Sequence, residues 1–247
     1  PGLPKTPFLL CGVTLVVIGQ RLVAQPDVVE EDEPVEEIDV EPPSPQQIAL
    51  DARVEALELD LAYDMIELVD GSVGGDLLDR VGALRRKIAS ELGFVMPSIR
   101  TRDEPSLPAH TYAIRVHGVE MGRGEAPPDR ILVIGDELSA LPGADIEEPV
   151  FGLRARWVPH EFRLQAELAG NTIVDRAALI VTHLAEIIRR QAGRLLSRSD
   201  VAELLESVGE TDPTVIKDLS TAGVTNAEIQ SVLATLLDDG VAIRDLV

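Results

Sequence analysis

Apolar and polar residues alternate in Leu57-Glu58-Leu59-Asp60-Leu61, a period of two that predicts a β-strand. After the turn-forming segment Asp70–Gly75, apolar residues recur at Leu77, Val81, Leu84, Ile88 and Leu92. That spacing lines one helix face, and Gly93 supplies a stop, so a helix is predicted over about Asp76–Leu92. Short strands are predicted at Phe94–Met96 and Ile99–Arg102. Two more, Tyr112–Val116 and Val119–Arg123, flank His117-Gly118 and read as a hairpin. Arg130–Ile134 is a further strand after the Pro127-Pro128 break. Next come a helix near His160–Ala169, a strand at Thr172–Val174 and a helix near Ala177–Gln191. In the last of these Ile180, Leu184 and Ile187 form the stripe, and Arg189 and Arg190 suit the helix dipole at its C-terminal end. Beyond Ser199 the pattern holds only short helices. Thr225-Asn226-Ala227-Glu228 is a capping box, opening an amphipathic helix to about Asp239 that Gly240 closes. Strands and helices mixed in this order predict an α+β fold.

The N-terminal fifth reads differently. Phe8–Ala24 is apolar, and its core from Phe8 to Gly19 holds no charge and a single Thr. The stretch is short for a membrane span, which needs about 20 apolar residues. Lys5 is a thin basic region for a signal peptide, and no small-x-small cleavage site follows. A buried core helix is the other reading. The expectation is the last membrane helix of a longer protein, because the next segment offers no partner for a core helix. That segment, Asp27–Pro45, holds nine carboxylates, four prolines and no basic residue. Self-repulsion and proline stiffness predict an extended, solvated tether. Pro1 in place of Met, and an end at Val247 with no polar tail, fit a fragment truncated at both ends.

Composition narrows the function classes. A chain of 247 residues suits one large domain or two to three small ones, and 45% apolar residues supply a core. With 43 acidic against 22 basic residues the net charge is −21, which repels phosphate backbones and argues against nucleic-acid partners. The lone Cys11 excludes a disulfide framework and any zinc site built on several thiolates.

No catalytic pattern rises above this background. Asp70-Gly71-Ser72-Val73-Gly74-Gly75 sits between a strand and a helix, where a phosphate-binding loop would sit. It lacks the Gly-Lys-Ser/Thr ending, and Asp76 and Asp79 add the wrong charge, so a structural turn is expected. Of His110, His117, His160 and His183, only the last has a carboxylate at helical spacing, Glu186. Two ligands do not specify a metal, and surface or capping roles are expected. Ser72 and Ser139 lack a nucleophile elbow. No metal, cofactor or enzymatic activity is therefore expected. Aromatic residues are scarce, which draws attention to Glu148-Pro149-Val150-Phe151-Gly152-Leu153. From pattern alone Phe151 reads as a core anchor beneath a loop. The alternative is an exposed partner-binding ring beside a carboxylate.

Several ordered motifs together resemble one family. They are the opening Pro1-Gly2-Leu3-Pro4 with its apolar run, then Gly74-Gly75-Asp76-Leu77-Leu78-Asp79-Arg80, and Arg85-Arg86-Lys87-Ile88-Ala89-Ser90-Glu91-Leu92-Gly93-Phe94-Val95 followed by Pro97 and Ile99-Arg100-Thr101-Arg102-Asp103. Pro149-Val150-Phe151-Gly152-Leu153, Val181-Thr182-His183-Leu184 and Ile243-Arg244-Asp245-Leu246 complete the set. The chain resembles the large export-gate proteins of bacterial type III secretion, the FlhA/LcrD family, in the flagellar rather than the virulence-type version. The resemblance implies a non-enzymatic inner-membrane protein whose cytoplasmic domain forms a ring below the export channel. It implies residues 1–25 as the end of the membrane region and 26–45 as the acidic linker. The first cytoplasmic subdomain would take 46–126 with 176–195, a second would be inserted over 127–175, and a truncated helical third would run over 196–247. The implied partners are export chaperone–substrate complexes, other export-apparatus proteins and further copies of the chain. The implied chaperone-docking residues are Glu148, Phe151 and Thr182. Glu148 stands where the family often has Asp, which keeps the charge and lengthens the arm. Two rivals are a phosphate-ligand enzyme built on the Asp70–Gly75 loop and a membrane-anchored domain with no export partner.

Overall fold

The computed structural model describes residues 54–246, Glu137 excepted. The expected membrane helix and acidic linker lie outside the described residues. Two four-stranded sheets and a run of helices make up the described part. The first sheet has the order β2-β1-β3-β4, built from β1 (Leu57–Leu61), β2 (Ile99–Asp103), β3 (Thr111–Val116) and β4 (Val119–Glu125). β1 and β2 are parallel, and helix α1 (Leu77–Leu92) forms the crossover that a parallel pair requires. The hairpin of β3 and β4 turns on His117 (φ 49°) and Gly118 (φ 75°), two left-handed residues as a two-residue turn demands.

The alternation in β1 has an unexpected outcome. Leu57, Leu59 and Leu61 enter the main core as expected, but Glu58 and Asp60 on the opposite face are buried too. Arginines cover them. Arg102 donates through Nε to Asp60 Oδ1 at 2.8 Å and through Nη2 to Glu58 Oε2 at 3.0 Å, and Arg115 Nε reaches Asp60 Oδ2 at 2.6 Å. Charge pairing on the sheet thus replaces the solvent face that alternation suggests.

The segment Phe94–Met96, expected as a strand, forms no ladder. Gly93 closes α1 in a left-handed conformation, and the chain then bends so that Phe94 and Met96 drop into the core beneath the helix. Their apolar character reflects burial in a bend.

The second sheet, β6-β7-β5-β8, is antiparallel throughout. Its strands are β5 (Arg130–Ile134), β6 (Asp145–Glu147), β7 (Arg154–Pro159) and β8 (Thr172–Val174), with α2 (Arg163–Leu168) between β7 and β8. It is apolar on both faces. Ile131, Val133 and Val158 pack with Leu138, Leu141 and Ala166 in a small core, while Leu132, Ala155 and Trp157 join the main one. This explains the unbroken run Ile131-Leu132-Val133-Ile134.

Helix α3 (Arg176–Arg190) follows, capped by Asp175, whose Oδ1 accepts from Ala178 N at 2.7 Å. It lies parallel to α1. Arg80 at the start of α1 bonds Asp175, and Glu91 at its end bonds Arg189 at 2.9 Å. Then come α4 (Ala192–Leu195), α5 (Arg198–Thr211), α6 (Pro213–Ala222) and α7 (Asn226–Asp238). The expected capping box is present: Thr225 Oγ1 accepts from Glu228 N, and Glu228 Oε2 accepts from Thr225 N at 2.8 Å.

Candidate partner-docking site

The loop between β6 and β7 is short and tied at every step. Glu148 N donates to the Leu153 carbonyl at 2.9 Å, and Gly152 N returns to the Glu148 carbonyl at 3.1 Å. Gly152 has φ 69°, a conformation that costs other residues about 1 kcal/mol or more, so glycine is required to close the turn. The Glu148 carboxylate accepts from Val150 N at 2.7 Å and from Phe151 N at 2.8 Å. Val150 points into the core, and Phe151, the next residue, is 58% exposed.

Helix α3 faces this loop across a depression of about 290 Å³. Pro149 and Val150 line it from the loop, Met121, Gly122 and Arg123 from β4, and His183, Glu186, Ile187 and Arg190 from α3. The register between β3 and β4 slips at Ile114/Arg115, leaving Met121 as the extra residue of a β-bulge on that wall. Gly122 allows the close approach. A Cβ there would lie 2.5 Å from Ile187 Cδ1 and 2.6 Å from His183 Nε2.

The three sequence-predicted docking residues occupy different settings. Phe151 is exposed, so the core anchor of this loop is Val150 instead. Thr182 is exposed on α3, next to the lining residue His183, with its hydroxyl donating to the Ala178 carbonyl at 2.7 Å. Glu148 is only 3% exposed, and its oxygens face the loop's own amides.

His183 departs from the expected surface or capping role: it is buried in the main fold. Its Nδ1 lies 3.0 Å from the Tyr112 hydroxyl, and the two rings meet edge-on at 5.7 Å. Burial lowers the His183 pKa, the Glu148 charge opposes that shift, and Arg190 adds to it. Tyr112 is held well above its ordinary range by burial and by the same Glu148 charge. Glu148, Tyr112 and His183 therefore share one electrostatic neighbourhood. The burial of His183 was signalled by its place on the apolar face with Ile180 and Leu184.

The other candidate features are structural in form. In the Asp70–Gly75 segment Ser72 N is taken by Asp70 Oδ1 at 2.8 Å, and Gly75 N by the Asp70 carbonyl at 3.0 Å. These amides are turned inward. His110 bonds Asp64, and His117 Nε2 bonds the Arg194 carbonyl at 3.1 Å. No group of three metal-ligating side chains occurs among the described residues, and none of their helices is long and apolar enough to cross a membrane.

An α+β arrangement of this kind, two small sheets followed by helices, is that of type III secretion cytosolic domains. The cytosolic domain of EscV from such a system shares the fold at a TM-score of 0.53 and 16% identity, over 78% of this chain and 56% of that one. The Chlamydia pneumoniae CdsV protein does so at a TM-score of 0.67 and 21% identity, over 79% and 58%. The chain belongs to the FHIPEP family, whose model matches residues 1–247. The flagellar biosynthesis protein FlhA of Bacillus subtilis (strain 168) is 33% identical over 236 residues, covering 95% of this chain and 34% of that protein. FlhA of Yersinia enterocolitica is 34% identical over 253 residues, covering 100% and 36%. The chain thus spans about a third of the length of the curated relatives it matches. The family expected from the sequence motifs is the family found.

Proposed function

We propose that the chain is part of the export gate of a flagellar type III secretion apparatus, a non-enzymatic platform that docks export chaperones carrying substrates. The carrying observation is Phe151, a large apolar ring exposed on a tied loop whose Pro149 and Val150 line a depression. A rigidly presented aromatic beside a concavity is the usual form of a binding hot spot. Thr182 is exposed on the helix that faces this loop, one residue before the lining His183. Docking raises the effective concentration of substrates near the gate, which passes them on for flagellum assembly.

Flagellar relatives at about a third identity support the flagellar reading over a virulence-type gate. In this reading residues 1–25 end the membrane region of the inner membrane and 26–45 tether the cytoplasmic part. The first subdomain takes 46–126 with 176–195, the inserted second 127–175 and the helical third 196–247. The division of strands into two sheets, the second lying wholly between residues 126 and 176, supports these boundaries. Ring assembly is supported by the nonameric state of the EscV cytosolic domain. Other export-apparatus partners are supported by the solved complex of Chlamydia pneumoniae CdsV with CdsO.

The test is calorimetric titration of the chain with a flagellar chaperone–substrate complex, beside a Phe151→Asp variant. Binding that the variant loses is the expected result. Equal binding by both refutes the site, and binding by neither refutes the docking function for this chain.

A further inference from the structure

The burial and bonding of Glu148 point to a role other than partner contact. We propose that Glu148 is a positioning residue: its buried carboxylate holds the 148–153 loop so that Phe151 projects outward, and a docked partner does not touch it. This rests on the docking reading above and separates the task of Glu148 from that of Phe151 within it.

Both carboxylate oxygens are occupied from within. Oε2 accepts from Val150 N at 2.7 Å and from Phe151 N at 3.1 Å, and Oε1 from Phe151 N at 2.8 Å. With its own backbone bonds to Leu153 and Gly152, this one residue ties four of the five that follow it. At 3% exposure it leaves almost no surface for a partner, whereas Phe151 is 58% exposed.

The alternation depends on those bonds. Val150 faces the core and Phe151 faces out, so the chain must turn between them with two adjacent amides directed inward. Without the carboxylate those amides would lose their partners beside a buried side chain, which favours rearrangement of the loop. The groups beneath the loop fit this task. The Glu148 charge is felt by Tyr112 on β3 and by His183 on α3, whose rings pack edge-on against each other. The loop thus shares an electrostatic neighbourhood with β3 and with α3, and α3 also walls the depression. A shorter carboxylate forms equivalent bonds to the amides two and three residues on, as in Asx-turns, so Asp can serve here as Glu does.

The test uses the full chain with Glu148→Asp, Glu148→Gln and Glu148→Ala. Two quantities are read: hydrogen exchange of the Val150 and Phe151 amides by NMR, and calorimetric affinity for a flagellar export chaperone loaded with its substrate. Each variant is also made in a Phe151→Ala background. Positioning predicts that Glu148→Ala speeds exchange of both amides by about tenfold or more and weakens binding by a similar factor. In the Phe151→Ala background the same change should weaken binding by less than about twofold, because the presented ring is already gone. Glu148→Asp should stay close to the parent chain in both measurements. Unchanged amide exchange in Glu148→Ala overturns the proposal. So does an equal loss of affinity with and without Phe151, which marks direct contact. If the parent chain does not bind the loaded chaperone, the docking reading fails, and amide exchange still decides the positioning role. If Glu148→Ala does not fold, the near-isosteric Glu148→Gln supplies the same comparison.

Discussion

Arg102 and Asp60 stand directly opposite each other across the parallel β1–β2 pair, with the guanidinium Nε donating to Oδ1 at 2.8 Å. Asp60 is fully buried and is shared with Arg115 at 2.6 Å, so one carboxylate joins three strands. Asp60→Ala would leave two half-covered guanidiniums without their partner. The expected loss is about 3 kcal/mol in urea unfolding. Because Asp60 is out of solvent, 0.5 M salt should change the measured loss little. A loss below about 1 kcal/mol would show that the arginines re-pair at no cost.

Val150 and Phe151 are neighbours with opposite consequences. Val150 packs in the main core, so Val150→Ala should cost about 2 kcal/mol by denaturant unfolding. Phe151 faces solvent, and Phe151→Ala should stay within about 0.5 kcal/mol of the parent chain. A large destabilisation by Phe151→Ala would return that ring to the core.

Gly122→Ala tests the wall of the depression. The added methyl meets the Ile187 side chain and the His183 ring, both on α3, so β4 and α3 must separate. The expected cost is about 1–3 kcal/mol in thermal or urea unfolding. An unchanged midpoint would mean that Ile187 finds another rotamer without penalty.

His183 makes stability depend on pH in a defined direction. Burial lowers its folded-state pKa below the unfolded value of 6.5, so between the two values the unfolded chain binds more protons. Its contribution is therefore complete above pH 6.5 and is lost as pH falls through the folded pKa. Comparing urea midpoints at pH 7.5 and 5.5, the parent chain should lose more stability than His183→Gln. Equal losses would place the neutral-to-charged transition elsewhere.

Much of the fold is legible in the sequence where one face of an element decides its pattern. The strand at Leu57–Leu61, the long helix, the hairpin at His117-Gly118 and the Thr225 capping box all fall where periodicity and turn chemistry place them. The failures share a physical cause. Phe94–Met96 has strand composition but is buried singly in a bend, and propensity cannot separate those cases. β6 and β7 stay hidden because Arg154 and Arg156 alternate with Ala155 and Trp157 beside a Pro- and Gly-punctuated loop. Phe151 was singled out by scarcity and by family motif. The burial of Glu148 was not legible, since a carboxylate in a loop reads as solvated until its amide partners are located.

Arg176 has a consequence for how the chain can be rebuilt. Its guanidinium donates to the Ala126 carbonyl at 2.8 Å and pairs with Glu67, so the residue that resumes the first fold after the second sheet is stitched to the residue where that fold was left. The two cut points are therefore neighbours in space. A bridge of a few residues would span those two ends, but removing residues 127–175 would also take Leu132, Ala155 and Trp157 out of the main core.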